Sequence, residues 1–401
     1  MTKIDPSDPK TWWEAWEESL VPEKSLIVGA QCPDHVRSLT GIPAHKLYAD
    51  PETHLRASAA VSAYYGFDNV SNSHDIYNFE IEALGGKMIF GESLPTIDAR
   101  EPLIASHKDL DKLVPPDSWV DRGRVRLSFE QSKLSGTAMF CAPFSLAIGL
   151  RGYVNLIRDM RRDPAFVQEL FERLVNDIIP SYIKEGTDYA GVNMWVGADA
   201  WSSFPNIGPE LYEKWVTPYA LKLNQKLGQL GSFAMFVGNA DYCEEDLSKF
   251  SQEILWKCFD NQIATSGGLP MLVLYMGRWQ DYPLESVISY IDSKKAQGID
   301  VTISVAGLNA RVLRDGPIDN ILSAVKRLCT LAQHTNVLSI IAGGLADDVP
   351  PEHVHAMVAA VRTYGALPIS ENLDEVKVEI PKRESFAEYV NKMSGGRGLV
   401  Y

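Results

Sequence analysis

The sequence predicts an α/β protein, a single (β/α)8 barrel of the TIM type with an N-terminal helical extension and an insertion near residues 100–133. Two patterns support this. Helices with an apolar residue at every third or fourth position end at a glycine, and a short apolar run typical of a buried strand follows. Apolar strands that alternate with helices indicate a parallel sheet covered on both faces. Over 401 residues, such units fit a closed barrel better than the alternative, an open doubly wound sheet.

Prolines near the predicted helix starts and glycines just past the predicted helix ends mark the helix boundaries, as is typical of helix termini. The predicted helices begin near Pro164, Pro209, Pro283, Ile318 and Pro350. The predicted strands are residues 189–196, 232–237, 299–305 and 337–341. No Gly-x-Gly-x-x-Gly turn follows a predicted strand, which argues against a dinucleotide-binding sheet.

Three regions are predicted along the chain. Residues 1–25 form the N-terminal extension, in which Trp12, Trp13 and Trp16 recur at helical spacing. Residues 26–365 form the catalytic barrel, and residues 366–401 form a charged tail without a periodic apolar pattern. Residues 100–133 are more polar than their surroundings, so they are predicted to be an insertion or loop.

Composition restricts the class of protein. Hydrophobic residues make up 45% of the chain and charged residues 22%, which is the balance of a globular domain. The net charge of −14 opposes binding to nucleic acid. The chain has neither a signal-peptide pattern at its start nor an apolar run long enough to span a bilayer, and its five cysteines are scattered. These features predict a cytoplasmic protein with reduced thiols, and they are compatible with a homodimer.

Several segments resemble the superfamily of uroporphyrinogen decarboxylase and the corrinoid-dependent methyltransferases that act on coenzyme M. The segments are GFDNVSNSHDIYNFEIEALGGKM (66–88), CAPFSLAIGLRG (141–152), GADAWSSFPNIGPELYEKWVTPYALKL (197–223), FVGN (236–239) and AGGLADDVPPEHVHAMVAAVRTYG (342–365). The resemblance implies a barrel with its active site at the carboxyl ends of the strands.

The chain departs from the metal site of the coenzyme M methyltransferases, which hold zinc through a His-x-Cys-Gly motif and a later cysteine. The positions of that motif are Met235, Val237 and Gly238 here, and the later cysteine falls near Gly343. A zinc site is therefore uncertain. An alternative ligand set follows Asn239 and consists of Asp241, Cys243, Glu244 and Glu245.

The chain also departs from uroporphyrinogen decarboxylase itself, which binds its many carboxylates with an arginine-rich N-terminal segment. Here that segment offers only Arg37, with His35 and His45. Several anionic groups of such a substrate would therefore remain unpaired.

Polar residues near the predicted strand ends are the candidate site. His74, Glu80 and Asp199 are the candidate catalytic residues, because a histidine or a buried carboxyl can donate or accept a proton. Capping or packing roles are the alternatives for His74 and for the pair Asn193 and Trp195. The candidate substrate-binding residues are Asn193, Trp195, Asn239, Tyr275, Arg278, Asn309 and Arg311. Aromatic side chains among them favour an aromatic or methylated small molecule.

Three functions remain open at this point. The leading hypothesis is a methyltransferase that moves a methyl group from a small methylated substrate, such as an aryl methyl ether, to a corrinoid carried by a partner protein. The second is a decarboxylase of a small aromatic or tetrapyrrole acid. The third is a ligand-binding protein without catalytic activity.

Overall fold

The computed structural model describes residues 5, 8–19, 24–68, 75, 77–237, 251–274 and 284–399. The chain divides into two compact units. The first consists of Met1–Ser73, Cys243–Gln252 and Pro270–Tyr401, and the second of His74–Tyr242 and Glu253–Leu269. No described helix is both long and apolar enough to cross a membrane.

The first unit contains a four-stranded parallel sheet in the order β1-β9-β8-β7. Its strands are β1 (Ile27–Ala30), β7 (Met271–Leu274), β8 (Thr302–Asn309) and β9 (Ser339–Gly343). Its helices are α1 (Pro9–Ser19), α2 (Pro33–Thr40), α3 (Ala44–Leu47), α4 (Pro51–Tyr65), α14 (Leu284–Ala296), α15 (Ala310–Asp315), α16 (Ile318–Thr330), α17 (Pro351–Tyr364) and α18 (Phe386–Ser394).

The second unit contains a three-stranded parallel sheet in the order β4-β5-β6 and a short antiparallel hairpin. The hairpin strands are β2 (Met88–Ile89) and β3 (Thr96–Ile97), and the sheet strands are β4 (Ala138–Cys141), β5 (Met194–Ala198) and β6 (Phe233–Val237). The helices are α5 (Phe79–Ala83), α6 (Val125–Ser135), α7 (Pro143–Arg151), α8 (Tyr153–Arg162), α9 (Pro164–Arg173), α10 (Ile179–Ala190), α11 (Pro209–Trp215), α12 (Thr217–Gln229) and α13 (Gln252–Thr265).

Most predicted elements exist, but several boundaries shift. The predicted strand 189–196 begins too early, because α10 continues to Ala190 and ends at Gly191, which adopts a left-handed φ of 71°. The predicted strand 299–305 ends too early, because β8 continues to Asn309. The predicted insertion 100–133 contains a 3-10 segment, His107–Lys112, and most of α6.

One face of the β4-β5-β6 sheet packs against helices and forms much of the core of this unit. Phe140, Gly197 and Phe236 are neighbours across the three strands. A Cβ atom on Gly197 would lie 2.8 Å from the Phe140 ring and 2.9 Å from the Phe236 ring. Glycine therefore permits the two rings to approach across β5, and this packing fixes the strands whose ends carry the candidate site.

Candidate functional site

The carboxyl ends of β4 and β5 bring the polar groups of the second unit together. The two strands are parallel, with Cys141 paired to Ala198, so their ends lie side by side. Asp199 directly follows β5, and α7 begins at Pro143, two residues after β4. Carboxyl ends of parallel strands are the usual place for an active site in α/β proteins.

Asp199 is buried and accepts two hydrogen bonds from one residue of α7. Its Oδ1 accepts from the Ser145 backbone N–H at 2.8 Å and from the Ser145 hydroxyl at 2.7 Å. Burial raises the pKa of Asp199 to about 6, although the Ser145 donors favour the ionised form. Near pH 7 this carboxyl group is therefore mostly ionised.

Glu80 lies on α5, and its side chain is fully buried. Its Oε1 accepts a hydrogen bond from the backbone N–H of Cys141 at 2.7 Å. Its Oε2 has no hydrogen-bond partner among the residues that the structure describes. Burial raises the pKa of Glu80 to about 7, so this carboxyl group retains a proton for part of the time at neutral pH.

A buried ionic clamp fixes α5 on either side of Glu80. The Arg124 guanidinium donates from Nη2 to Asp75 at 3.2 Å and from Nε to Glu82 at 2.7 Å. Its Cζ atom lies over the rings of Phe79 and Phe90, at 5.3 and 5.6 Å from their centroids. Because α5 has only five residues, these contacts hold Glu80 in place more than the helix itself does.

The Cys141 thiol and the Tyr182 hydroxyl, both close to Glu80, stay neutral at physiological pH. Burial raises the pKa of the Cys141 thiol and of the Tyr182 hydroxyl well above their ordinary values. Burial also raises the pKa of Asp75, but Arg124, Asn78 and Tyr77 donate hydrogen bonds that favour its ionised form. Glu80 and Asp199 have pKa values close enough to 7 for each to exchange a proton near neutral pH.

Asn193 and Trp195, two predicted substrate-binding residues, do not lie at the carboxyl end of β5. Asn193 precedes β5, so the prediction that it ends a strand is wrong: it lies at the opposite end of β5 from Asp199. Trp195 lies inside β5 and is fully buried; its Nε1 donates to Thr187 and its ring packs against Tyr182. The contacts of Trp195 are those of a core residue.

Asn309 and Arg311 belong to the first unit. Asn309 is the last residue of β8, and its side chain caps α15 by accepting a hydrogen bond from the Arg311 backbone N–H at 2.8 Å. Arg311 is exposed on the first turn of α15. Binding of substrate by these two residues remains a prediction.

Several predicted residues lie outside the part of the chain that the structure describes. They are His74, Asn239, Tyr275 and Arg278, together with the alternative zinc ligands Asp241, Cys243, Glu244 and Glu245. Among the described residues, no three His, Cys, Asp or Glu side chains are grouped so as to hold a metal ion. Met235 in β6 and Gly343 at the end of β9 carry neither thiolate nor imidazole, so they do not fit the zinc site of the related methyltransferases.

The structure adds residues that the sequence did not single out. Ser145 was visible in the segment 141–152, but nothing in that segment predicts its contacts with Asp199. Arg124 lies at the start of α6, in a region predicted to be a loop, and its pairing with Asp75 and Glu82 depends on tertiary structure.

Comparison of the sequence with models of known protein families shows which family this chain belongs to. The model of the family described as uroporphyrinogen decarboxylase (URO-D) matches residues 26–255, which is more than half of the chain. This chain belongs to the uroporphyrinogen decarboxylase family. The fold of that family is a TIM-type barrel, so the predicted fold class is confirmed.

A solved structure supports the same fold for this member of the uroporphyrinogen decarboxylase family. It is a methyltransferase from Methanosarcina mazei, with a TM-score of 0.61 and 16% sequence identity, and the alignment covers 88% of this chain and 98% of the other. A search of curated proteins found no match. The decarboxylase family and the methyltransferase neighbour both indicate an enzyme, and they do not distinguish between the two reactions.

Proposed function

We propose that this protein is a methyltransferase of a corrinoid-dependent demethylating system. It moves a methyl group from a small methylated substrate, an aryl methyl ether, to a corrinoid protein that acts as the second substrate. The observation that carries the proposal is Glu80, a fully buried carboxyl group with a pKa of about 7 and with Oε2 unpartnered among the described residues. A proton held in this way is suited to assist a leaving oxygen.

In the proposed reaction, the bond between the methyl carbon and the ether oxygen breaks. The corrinoid of the partner protein supplies the electron pair that bonds to the methyl carbon, and the departing oxygen keeps the pair of the broken bond. Oε2 of Glu80 donates its proton to that oxygen, so that a neutral phenol leaves. Glu80 then regains a proton from solvent, which its pKa near 7 allows at physiological pH.

Asp199 has a different role in this proposal. It is mostly ionised near pH 7 and accepts both hydrogen bonds from Ser145. It therefore fixes the N-terminal end of α7 beside the ends of β4 and β5. In this proposal Glu80 donates the proton, and Asp199 positions the N-terminal end of α7.

The test is methyl transfer with purified components. The protein is mixed with a reduced corrinoid protein and a panel of methoxyaromatic compounds and methylamines, and both the corrinoid absorbance and the demethylated product are followed. We expect transfer from a methoxyaromatic donor and a loss of at least about 100-fold in Glu80→Gln. The exposed Glu210 provides a matched control, Glu210→Gln, which should retain full activity. If no donor on the panel is demethylated, the proposal is wrong.

Decarboxylation is the second candidate, because the matching family model is that of uroporphyrinogen decarboxylase. The same Glu80 proton would then pass to carbon: the bond to the carboxylate breaks, carbon dioxide leaves, and the electron pair that remains on carbon takes the proton. This reaction needs no corrinoid. Release of carbon dioxide from an aromatic acid without a corrinoid protein, and without methyl transfer, would favour it over the first proposal.

A further inference from the structure

An exposed tryptophan lies beside the buried acid at the end of β5. Trp201 follows Asp199 by two residues, in the 3-10 segment Ala200–Ser202, and 41% of its surface is exposed. Other tryptophans of the chain are buried in the core: Trp12, Trp119, Trp195 and Trp215. Trp201 therefore presents a large aromatic surface at the sheet edge that carries the candidate site.

The indole of Trp201 is held in a fixed position. Its ring packs against Tyr153 at the start of α8, with centroids 5.5 Å apart and an angle of 32° between the planes. The Tyr153 hydroxyl donates to the backbone carbonyl of Asn206 at 2.6 Å, which fixes the supporting ring. A supported indole loses little conformational freedom when a ligand stacks on it.

One hydroxyl group connects this aromatic surface to the acid. Ser145 Oγ donates to Asp199 Oδ1 at 2.7 Å and accepts from the Trp201 backbone N–H at 3.3 Å. The position of the indole and the position of the Asp199 carboxylate thus depend on the same side chain.

We propose that Trp201 is the platform on which the aromatic ring of the substrate stacks, which makes aryl methyl ethers, rather than methylated amines, the substrate class. This inference rests on the proposed function, because it names the residue that binds the methyl donor of that reaction. The exposed part of the indole can cover one side of a planar ring.

The arrangement of Trp201 and Tyr153 favours a planar ring over a methylated ammonium ion. Recognition of a quaternary ammonium uses several aromatic faces that surround the cation as a cage. Here the two rings are inclined by only 32° and pack against each other, so they form one supported surface. Such a surface matches offset stacking with a third aromatic ring.

The test is calorimetric titration of the full-length protein with 2-methoxyphenol, without any corrinoid protein. We expect the wild type to bind, Trp201→Ala to bind about tenfold more weakly, and Trp201→Phe to stay within about threefold of the wild type. Leu221 on α12 is also 41% exposed, so Leu221→Ala is a matched control for loss of apolar surface and should bind normally. Tetramethylammonium chloride, as the second probe, should bind much more weakly than 2-methoxyphenol.

Other results would overturn the inference: no binding of 2-methoxyphenol to the wild type, equal affinity in Trp201→Ala and Leu221→Ala, or a preference for tetramethylammonium. The retained ring in Trp201→Phe guards against a folding defect in the alanine variant. Trp201-dependent binding without methyl transfer would instead contradict the proposed function alone. Methyl transfer that does not depend on Trp201 would contradict only the proposed stacking of the substrate on Trp201.

Discussion

Burial raises the pKa of both Glu80 and Asp199, but the two carboxyl groups differ in the donors around them. Asp199 accepts two hydrogen bonds from Ser145, whereas the ionised form of Glu80 is favoured by the Cys141 backbone N–H and by the backbone N–H of Glu80 itself. The pKa of Asp199 rises from 3.8 to about 6 and that of Glu80 from 4.5 to about 7, so the two rises are similar and the higher pKa of Glu80 largely reflects the higher ordinary pKa of a glutamic acid. Such a separation allows one acid to donate a proton while the other remains ionised.

The Glu80 proton should appear in the pH dependence of stability. The pKa of Glu80 is about 7 in the folded protein and 4.5 ordinarily, so the proton stabilises the fold at low pH and this stabilisation is lost as pH rises towards 7. From pH 5 to pH 8 the free energy of unfolding should fall by about 2 kcal/mol more in the wild type than in Glu80→Gln. Urea denaturation at the two pH values measures this difference. If the free energy of unfolding changes equally with pH in the two proteins, the pKa of Glu80 is not raised in the folded protein.

Site residues were predictable from the sequence only in part. Glu80 and Asp199 were found because they lie in segments that resemble the family and because carboxyl groups carry acid–base chemistry. Trp195 was chosen for its aromatic ring, but strand alternation directs that ring into the helix-covered core. Trp201, six residues later, is the exposed indole, and the sequence alone does not show which of the two faces solvent.

At the scale of elements, α5 depends on the ionic clamp made by Arg124. Replacing Arg124 with methionine would leave the buried Asp75 and the half-buried Glu82 without their cation, so we expect a loss of about 3 kcal/mol of stability. Arg126 provides a matched control two residues away: its pair with Asp121 is exposed, and Arg126→Met should cost less than about 1 kcal/mol. Urea denaturation compares the variants. Equal losses for both would mean that the buried clamp contributes no more than a surface ion pair.

The helix α4 shows which elements a periodic pattern fails to reveal. Its residues 53–65 are all buried, and many are alanine or serine, so no polar face alternates with an apolar one. Its termini are nevertheless well marked, since the Asp50 side chain caps Thr53 and Gly66 ends the helix with a φ of 74°. Helices with one solvent face, such as α9 and α16, were predictable because their apolar stripes recur at helical spacing.

At the scale of the whole molecule, the parallel sheets follow directly from the apolar strand segments between helices. The exact ends of β5 and β8 do not, because neighbouring apolar residues belong to helix, strand or loop according to tertiary packing. For that reason the fold class was predictable from the sequence, whereas Asn193 was assigned to the wrong end of its strand.

Two buried histidines should make the folded protein sensitive to acid. Burial lowers the pKa of His35 and of His355 to about 4, so the folded protein keeps both neutral while the unfolded chain protonates them below pH 6.5. Stability is therefore lost as pH falls from 6.5 towards 4. His355→Phe should reduce the loss between pH 7 and pH 5 by about 1 to 2 kcal/mol. The exposed His334 provides the control His334→Gln, and urea denaturation that shows no difference between these variants would contradict the expectation.

The central claim is that Glu80 donates the proton during methyl transfer from an aryl methyl ether. The most direct measurement is the rate of a single turnover with 2-methoxyphenol and a reduced corrinoid protein between pH 5.5 and pH 8.5. We predict a wild-type rate that falls as pH rises through about 7, and a slow rate in Glu80→Gln that does not change across this range. A Glu80→Gln variant with the wild-type rate and pH profile would contradict the account.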